Sequence, residues 1–149
     1  RSVEQVNDAQ KGRVFGQLSH DYGGDVSGKT VALWGLAFKP ETDVMRCAPS
    51  LVLIDALLDA GCRVKVYDPI AVSEARRRLG DKVEYCDDKY DALSGADAMM
   101  LVTEWKEFRM PDWQIVMDNM RRPAIFDGRN IYDRRELRIL GFDYFYIGG

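Results

Sequence analysis

The sequence predicts an α/β fold: a Rossmann-like, doubly wound and mainly parallel sheet of about six strands, preceded by the end of a long helix. Three observations carry this. From Thr30 onward, short apolar runs alternate with segments of helical periodicity. Two of the runs, Thr30-Val31-Ala32-Leu33-Trp34 and Ala98-Met99-Met100-Leu101-Val102, are apolar without interruption, as strands covered on both faces are. Glycines stand where helices should stop, at Gly61 and Gly141.

Before the first strand, Val3, Val6, Val14, Leu18 and Tyr22 recur at roughly helical intervals, so a helix is expected from Arg1 to about His20. The chain opens inside that pattern, which reads as a piece of something longer. Tyr22-Gly23-Gly24-Asp25 and Ser27-Gly28 mark a loop. The resulting division is a helical segment over 1–22 and an α/β domain over 29–149. Val31 to Gly35 forms the first strand. A helix over Ser50 to Ala60 then turns Leu51, Ile54, Leu57 and Leu58 inward. Arg63 to Tyr67 alternates as a second strand. Asp68-Pro69 should open a helix, the acid as N-cap and the proline at the first position, with Ala71, Ala75 and Leu79 inward and Arg76, Arg77 and Arg78 outward. Val83-Glu84-Tyr85 is a brief strand and Asp88 to Leu93 a short helix. After the strand at Ala98 to Val102 come a helix over Asp112 to Met120, a strand at Ala124-Ile125-Phe126, and the polar turn Asp127-Gly128-Arg129-Asn130. A helix over Asp133 to Leu140 and a strand from Asp143 to Ile147 close the chain.

At 149 residues, 46% hydrophobic and 30% charged, the chain suits one soluble domain with a real core. A net charge of −3 argues against nucleic acid and anionic membrane surfaces as partners, so any anion site must come from local clustering. No run has the length of a membrane span, and no signal-peptide pattern opens the chain. Cys47, Cys62 and Cys86 are odd in number and lack CxxC spacing, which disfavours a disulfide framework or a zinc site and fits a reducing cytoplasm.

Open parallel sheets hold ligands beyond the carboxyl ends of their strands. The segment after the first strand is about a dozen residues without a pattern of its own, a length more often functional than connective. It carries Lys39 and Arg46, which are read as anion-binding, against the alternative of solvated charges paired with Glu41 and Asp43. Leu36, Ala37 and Phe38 follow Gly35, so there is no GxGxxG, and charged side chains rather than a glycine nest should bind phosphate. Arg129 has two readings: a fork aimed at a phosphate or ribose hydroxyl, or an exposed side chain in a turn held by Asp127 and Asn130. Asp68 could hold a ribose, but the helix-cap role suffices. Thr103-Glu104-Trp105 could supply a polar rim or serve packing and capping. Cys47 has no histidine placed to activate it and reads as inert, as do Cys62 and Cys86. These residues describe a nucleotide or phosphate ligand domain without an evident catalytic group.

Gly35-Leu36-Ala37-Phe38-Lys39-Pro40, then Thr42-Asp43, Met45-Arg46 and Ala48-Pro49-Ser50, resemble the nucleotide-sugar dehydrogenases of the UDP-glucose/GDP-mannose dehydrogenase family. Tyr67-Asp68-Pro69, Thr103-Glu104-Trp105 and Asp127-Gly128-Arg129-Asn130 recur there in the same order, in the manner of the UDP-glucose branch. The resemblance implies the C-terminal UDP-binding domain, with a stub of the central dimerisation helix at Val6-Asn7 and Gln10. It implies substrate contacts from Phe38, Lys39 and Arg129, and a contact from Arg46 to NAD bound mainly by an N-terminal domain. It further implies UDP-glucose as substrate, oxidised at its primary alcohol in two NAD-dependent steps. The catalytic cysteine of the family belongs to a segment ahead of this region, so no residue here is expected to be catalytic. A homo-oligomer is implied for the complete enzyme. The family usually has an acid where Val44 stands and glutamate where Cys47 stands. The competing readings are the same domain acting on UDP-N-acetylmannosamine or GDP-mannose, a non-catalytic nucleotide-binding module, and an assembly element presenting Trp and Tyr side chains.

Overall fold

The computed structural model describes residues 26–36 and 49–146. The helix expected over Arg1 to His20, and the segment with Phe38, Lys39, Arg46 and Cys47, lie outside the described residues. In chain order the elements are β1 (Thr30–Trp34), α1 (Pro49–Asp59), β2 (Arg63–Tyr67), α2 (Val72–Leu79), β3 (Glu84–Tyr85) and a 3₁₀ turn at Asp91–Leu93. They continue with β4 (Ala98–Leu101), α3 (Lys106–Arg109), α4 (Trp113–Asn119), β5 (Ala124–Asp127), α5 (Arg134–Leu140) and β6 (Asp143–Tyr146).

All six strands pair in parallel, in the order β3-β2-β1-β4-β5-β6. That is the doubly wound order, with its reversal between β1 and β4. The residues explain the arrangement. Along β1, Val31 and Leu33 point to one face while Ala32 and Trp34 point to the other, and all four are fully buried. β4 repeats the division, with Ala98 and Met100 on one side and Met99 and Leu101 on the other. A strand buried on both faces has no polar side, so the alternation expected of a half-exposed strand is missing from these two.

One face is covered by α1 and α2. Ile54 and Leu57 of α1 are fully buried and Leu51 and Leu58 partly so, as the pattern predicts, and Leu53 joins them at 3% exposure. α2 buries Ala71, Ala75 and Leu79 and leaves its three arginines in solvent, where Arg77 and Arg78 both reach Glu74. Exposed pairs of this spacing contribute only a few tenths of a kcal/mol, about 0.2–0.5 each.

The opposite face is covered by α3, α4, α5 and the 3₁₀ turn. Asp112 and Asp133 cap α4 and α5 by accepting the first free N–H groups of each helix. Two elements depart from the sequence reading. The helix expected over Asp88 to Leu93 is a single 3₁₀ turn, and α3 has no counterpart in the prediction. Four residues cannot display a helical period, and one isolated turn is unstable by itself. α3 exists because Phe108 is fully buried, with its ring stacked 4.9 Å from that of Trp34.

The strand ends are level. Register pairs Tyr67 with Trp34, Trp34 with Leu101, Leu101 with Asp127, and Asp127 with Tyr146. At the other end, Thr30 and Asp97 tie β1 to the entry of β4 through Thr30 N–H to Asp97 Oδ2 (2.9 Å) and Asp97 N–H to Thr30 O (2.7 Å). At the reversal, Gly35 has φ +100°, and a Cβ there would sit 2.5 Å from Thr103 Cβ and 2.6 Å from Thr103 N. Both the conformation and the close approach require glycine. Replacement of Gly35 by Ala is expected to lower unfolding free energy by about 3 kcal/mol, from strain and overpacking together. Denaturant unfolding within about 0.5 kcal/mol of the parent protein would show that β1 and β4 do not meet this tightly.

Candidate functional site

The site is built on the level rim just described, and its central group is the carboxylate of Asp68. The residue follows β2 and is only 2% exposed. Its Oδ2 accepts the N–H of Leu36 (2.8 Å) and the indole N–H of Trp105 (3.1 Å), and its Oδ1 accepts the N–H groups of Ile70 (2.9 Å) and Ala71 (2.8 Å). These bonds make the burial of a charge tolerable. They also correct the expected helix-cap role: α2 starts at Val72 behind Ala71, which has no side-chain cap, and Asp68 caps the turn ahead of it. With its oxygens turned inward to four donors, Asp68 is a structural tie.

Leu36 is held twice. Besides donating to Asp68, its carbonyl accepts the hydroxyl of Ser50 at 2.6 Å, and both Leu36 and Ser50 are fully buried. Leu36 and Ser50 bracket the segment that carries Phe38, Lys39 and Arg46. Those three predicted site residues lie outside the described residues, but both ends of their segment are fastened to the rim at the sheet's reversal point.

Arg129 lies in the turn after β5. That turn is organised by Asp127, 1% exposed, whose Oδ1 accepts Arg129 N–H (2.9 Å). Its Oδ2 accepts the N–H groups of Ile131 (2.8 Å) and Tyr132 (3.0 Å) and the hydroxyl of Tyr144 (2.8 Å). Asn130 adopts φ 57°, the left-handed conformation that asparagine tolerates. Asp127 therefore holds the turn, as one of the two readings of Arg129 requires. The arginine is nevertheless not a loose surface side chain. Its Nε and Nη2 both donate to Glu104 Oε1, at 3.0 and 2.7 Å, and its side chain is one third exposed. Burial first, and the Asp127 hydrogen bond second, push the Tyr144 phenol well above its ordinary pKa. Burial, then the same carboxylate, does so for Tyr132. Both phenols serve as neutral donors: Tyr132 to Phe108 O at 2.5 Å, Tyr144 to Asp127. Beside the turn, an open cleft of about 660 Å³ is bordered by Tyr132, Tyr144 and Tyr146, with Arg134 donating to the Tyr146 hydroxyl.

Glu104 comes from the segment after β4. Its neighbours are immobilised: Thr103 is 1% exposed against Gly35, and Trp105 is tied to Asp68. Sequence reasoning singled out Thr103-Glu104-Trp105 as polar residues after a strand, but not the pairing of Glu104 with Arg129. The two are 25 residues apart, and only the β4–β5 register makes them neighbours. The partnership of Tyr144 with Asp127 was hidden for the same reason, since Tyr144 reads in sequence as one of three aromatics in a closing strand.

The described rim can present a guanidinium to an anion. At the described start of the turn leaving β1 the Leu36 N–H is already given to Asp68, and the acid after β2 turns its oxygens inward to backbone and indole N–H groups. Among the described residues no group of three or more His, Cys, Asp or Glu could hold a metal, and no helix is long and apolar enough to cross a membrane.

The fold is the doubly wound type of dehydrogenase nucleotide-binding domains. Residues 32–134 match the family model described as the UDP-glucose/GDP-mannose dehydrogenase family, UDP binding domain. The chain is 48% identical to a UDP-glucose 6-dehydrogenase of Pseudomonas aeruginosa, over 99% of itself and 34% of that protein. Among solved structures it is similar to a UDP-glucose dehydrogenase of Pyrobaculum islandicum, with TM-score 0.75 and 31% identity over 95% of this chain and 30% of that one. It is also similar to an NDP-N-acetyl-D-galactosaminuronic acid dehydrogenase of Methanosarcina mazei, with TM-score 0.76 and 29% identity over 95% and 29%. The chain belongs to the UDP-glucose/GDP-mannose dehydrogenase family and contains its UDP binding domain. It spans about a third of the length of the curated relatives it matches.

Cys62 and Cys86 are buried, free thiols. Burial first, then the charge of Asp97, raises the Cys62 pKa; burial raises that of Cys86, with Lys65 opposing. A raised pKa reduces the thiolate population at pH 8, and the thiolate is the nucleophile. Iodoacetamide at pH 8 should therefore leave both unmodified in the native protein and alkylate both after unfolding. Peptide mass spectrometry showing native labelling at either position, at the rate of a free thiol, would contradict this.

Proposed function

We propose that this chain is the UDP-sugar-holding domain of an NAD-dependent UDP-glucose 6-dehydrogenase. The complete enzyme converts UDP-glucose, two NAD⁺ and water to UDP-glucuronate and two NADH. The observation that carries this reading is the match of residues 32–134 to the family's UDP binding domain, with Arg129 standing at the ligand rim of the sheet. In this reading residues 29–149 form the UDP-binding domain and residues 1–22 the end of the helix leading from the rest of the enzyme. The complete enzyme is a homo-oligomer of the cytoplasm.

Phe38, Lys39 and Arg129 hold the substrate: Lys39 as a point charge and Arg129 as a fork on the pyrophosphate or ribose. No residue of this domain reacts. Its contribution is positional, because contacts to the uridine diphosphate fix the sugar so that its oxidised carbon lies at groups supplied from elsewhere in the enzyme. NAD supplies the hydride acceptor when bound. In this reading it is held mainly by an N-terminal domain, with Arg46 meeting it from this side. Solved structures named for different sugars share this fold, one of them named for UDP-D-ManNAc, and the family's name includes GDP-mannose, which keeps UDP-N-acetylmannosamine or GDP-mannose as the alternative substrate. Assay of the complete enzyme with each sugar nucleotide distinguishes them: turnover of UDP-glucose alone supports the first reading.

Replacing Arg129 by Ala in the complete enzyme should raise KM for UDP-glucose by about 10- to 100-fold, the value of a charge-assisted hydrogen bond, with a smaller change in kcat. An unchanged KM removes Arg129 from the site.

A further inference from the structure

Glu104 engages Arg129 in an unusual way. A single oxygen, Oε1, accepts from both Nε and Nη2, so the carboxylate lies against one edge of the guanidinium. A guanidinium has five N–H donors. Glu104 uses two, and the edge that includes Nη1 has no partner among the described residues. Arg129 is anchored through its backbone and Glu104 through the residues that flank it. Arg129 N–H is held by Asp127, and Glu104 lies between the buried Thr103 and the indole of Trp105, which Asp68 holds. A long, flexible side chain is thus fixed in one plane by two loops that are themselves fixed. Side chains left one third and one quarter exposed retain access to a ligand.

We infer that Glu104 is a positioning residue: it sets the plane of the Arg129 fork so that the Nη1 edge, not the Nε edge, meets the anionic ligand. Glu104 touches no substrate and acts through Arg129, so this rests on the reading of Arg129 as a substrate contact. The geometry has a rival explanation, in which Glu104 competes with the diphosphate for the arginine. The two differ in sign. Positioning predicts weaker ligand binding when the carboxylate is removed, and competition predicts tighter binding.

The test is a cycle in the complete enzyme: Glu104→Ala, Glu104→Gln, Arg129→Ala and the double Glu104→Ala/Arg129→Ala variant. UDP binding is followed by calorimetry, KM and kcat by steady-state assay, and folding by thermal midpoint. Glu104→Ala should weaken UDP binding about five-fold, the worth of an exposed ion pair of about 1 kcal/mol, and raise KM without lowering kcat equally. Glu104→Gln retains an acceptor oxygen and should recover most of the loss. In the Arg129→Ala background, removing Glu104 should change nothing further. Tighter UDP binding by Glu104→Ala, or an equal loss in both backgrounds, overturns the inference. Loss with Arg129→Ala but none with Glu104→Ala overturns this inference alone, whereas an Arg129→Ala variant of unchanged affinity overturns the proposed role of Arg129 with it.

Discussion

The carboxylate of Asp68 is the constraint on which the ligand side of the molecule depends. A buried anion is costly unless several donors surround it, and here the donors come from three separate stretches: the exit of β1, the turn after β2, and Trp105 beyond β4. Satisfying the charge therefore forces those stretches together at the sheet's reversal. Gly35 permits the contact sterically by offering no Cβ to Thr103, and Ser50 completes it by tying the start of α1 to Leu36. Remove the acid, and four N–H groups, three of them in buried hydrogen bonds, lose their acceptor at once.

Asp127 does the corresponding work one strand pair away. It is as deeply buried as Asp68 and organises a turn rather than a junction, spending its oxygens on three backbone N–H groups and the Tyr144 hydroxyl. The two carboxylates leave the rim with rigid backbones at β1, β2, β4 and β5. Arg129 can then be displayed from a fixed stem.

Electrostatics divide along the same line. The acids that build the rim face inward and are matched by N–H groups, so they add little field where a diphosphate would arrive. Glu104, in contrast, is a part-exposed acid paired with Arg129, and its charge opposes that of the guanidinium while it holds the plane of the fork. A fixed ion pair of this kind can set the orientation of a guanidinium at the expense of its attraction for an anion.

Much of this was legible in the order of residues. β1 and β4 announce themselves as central strands because both faces are apolar, and the helices around them show their buried stripes and stop glycines. Local patterns of that kind are recorded within a single stretch of chain. Arg129 likewise stands out by its position in a polar turn after a strand, and the structure has it in that turn. α3 was not legible, because its one turn is stabilised by Phe108 stacking on a tryptophan from β1. Nor was the true role of Asp68, since the Pro69 beside it makes a local cap the economical reading, while its decisive partners Leu36 and Trp105 are 32 and 37 residues away. By itself, then, the sequence determined the class of fold, the central strands and the polar turns that follow them, all of which are matters of short-range periodicity and hydrophobic burial. Only the tertiary structure decided which carboxylates are spent on holding that rim and which one grips the arginine, because a hydrogen bond between distant residues depends on strand register, and register is fixed when the sheet assembles.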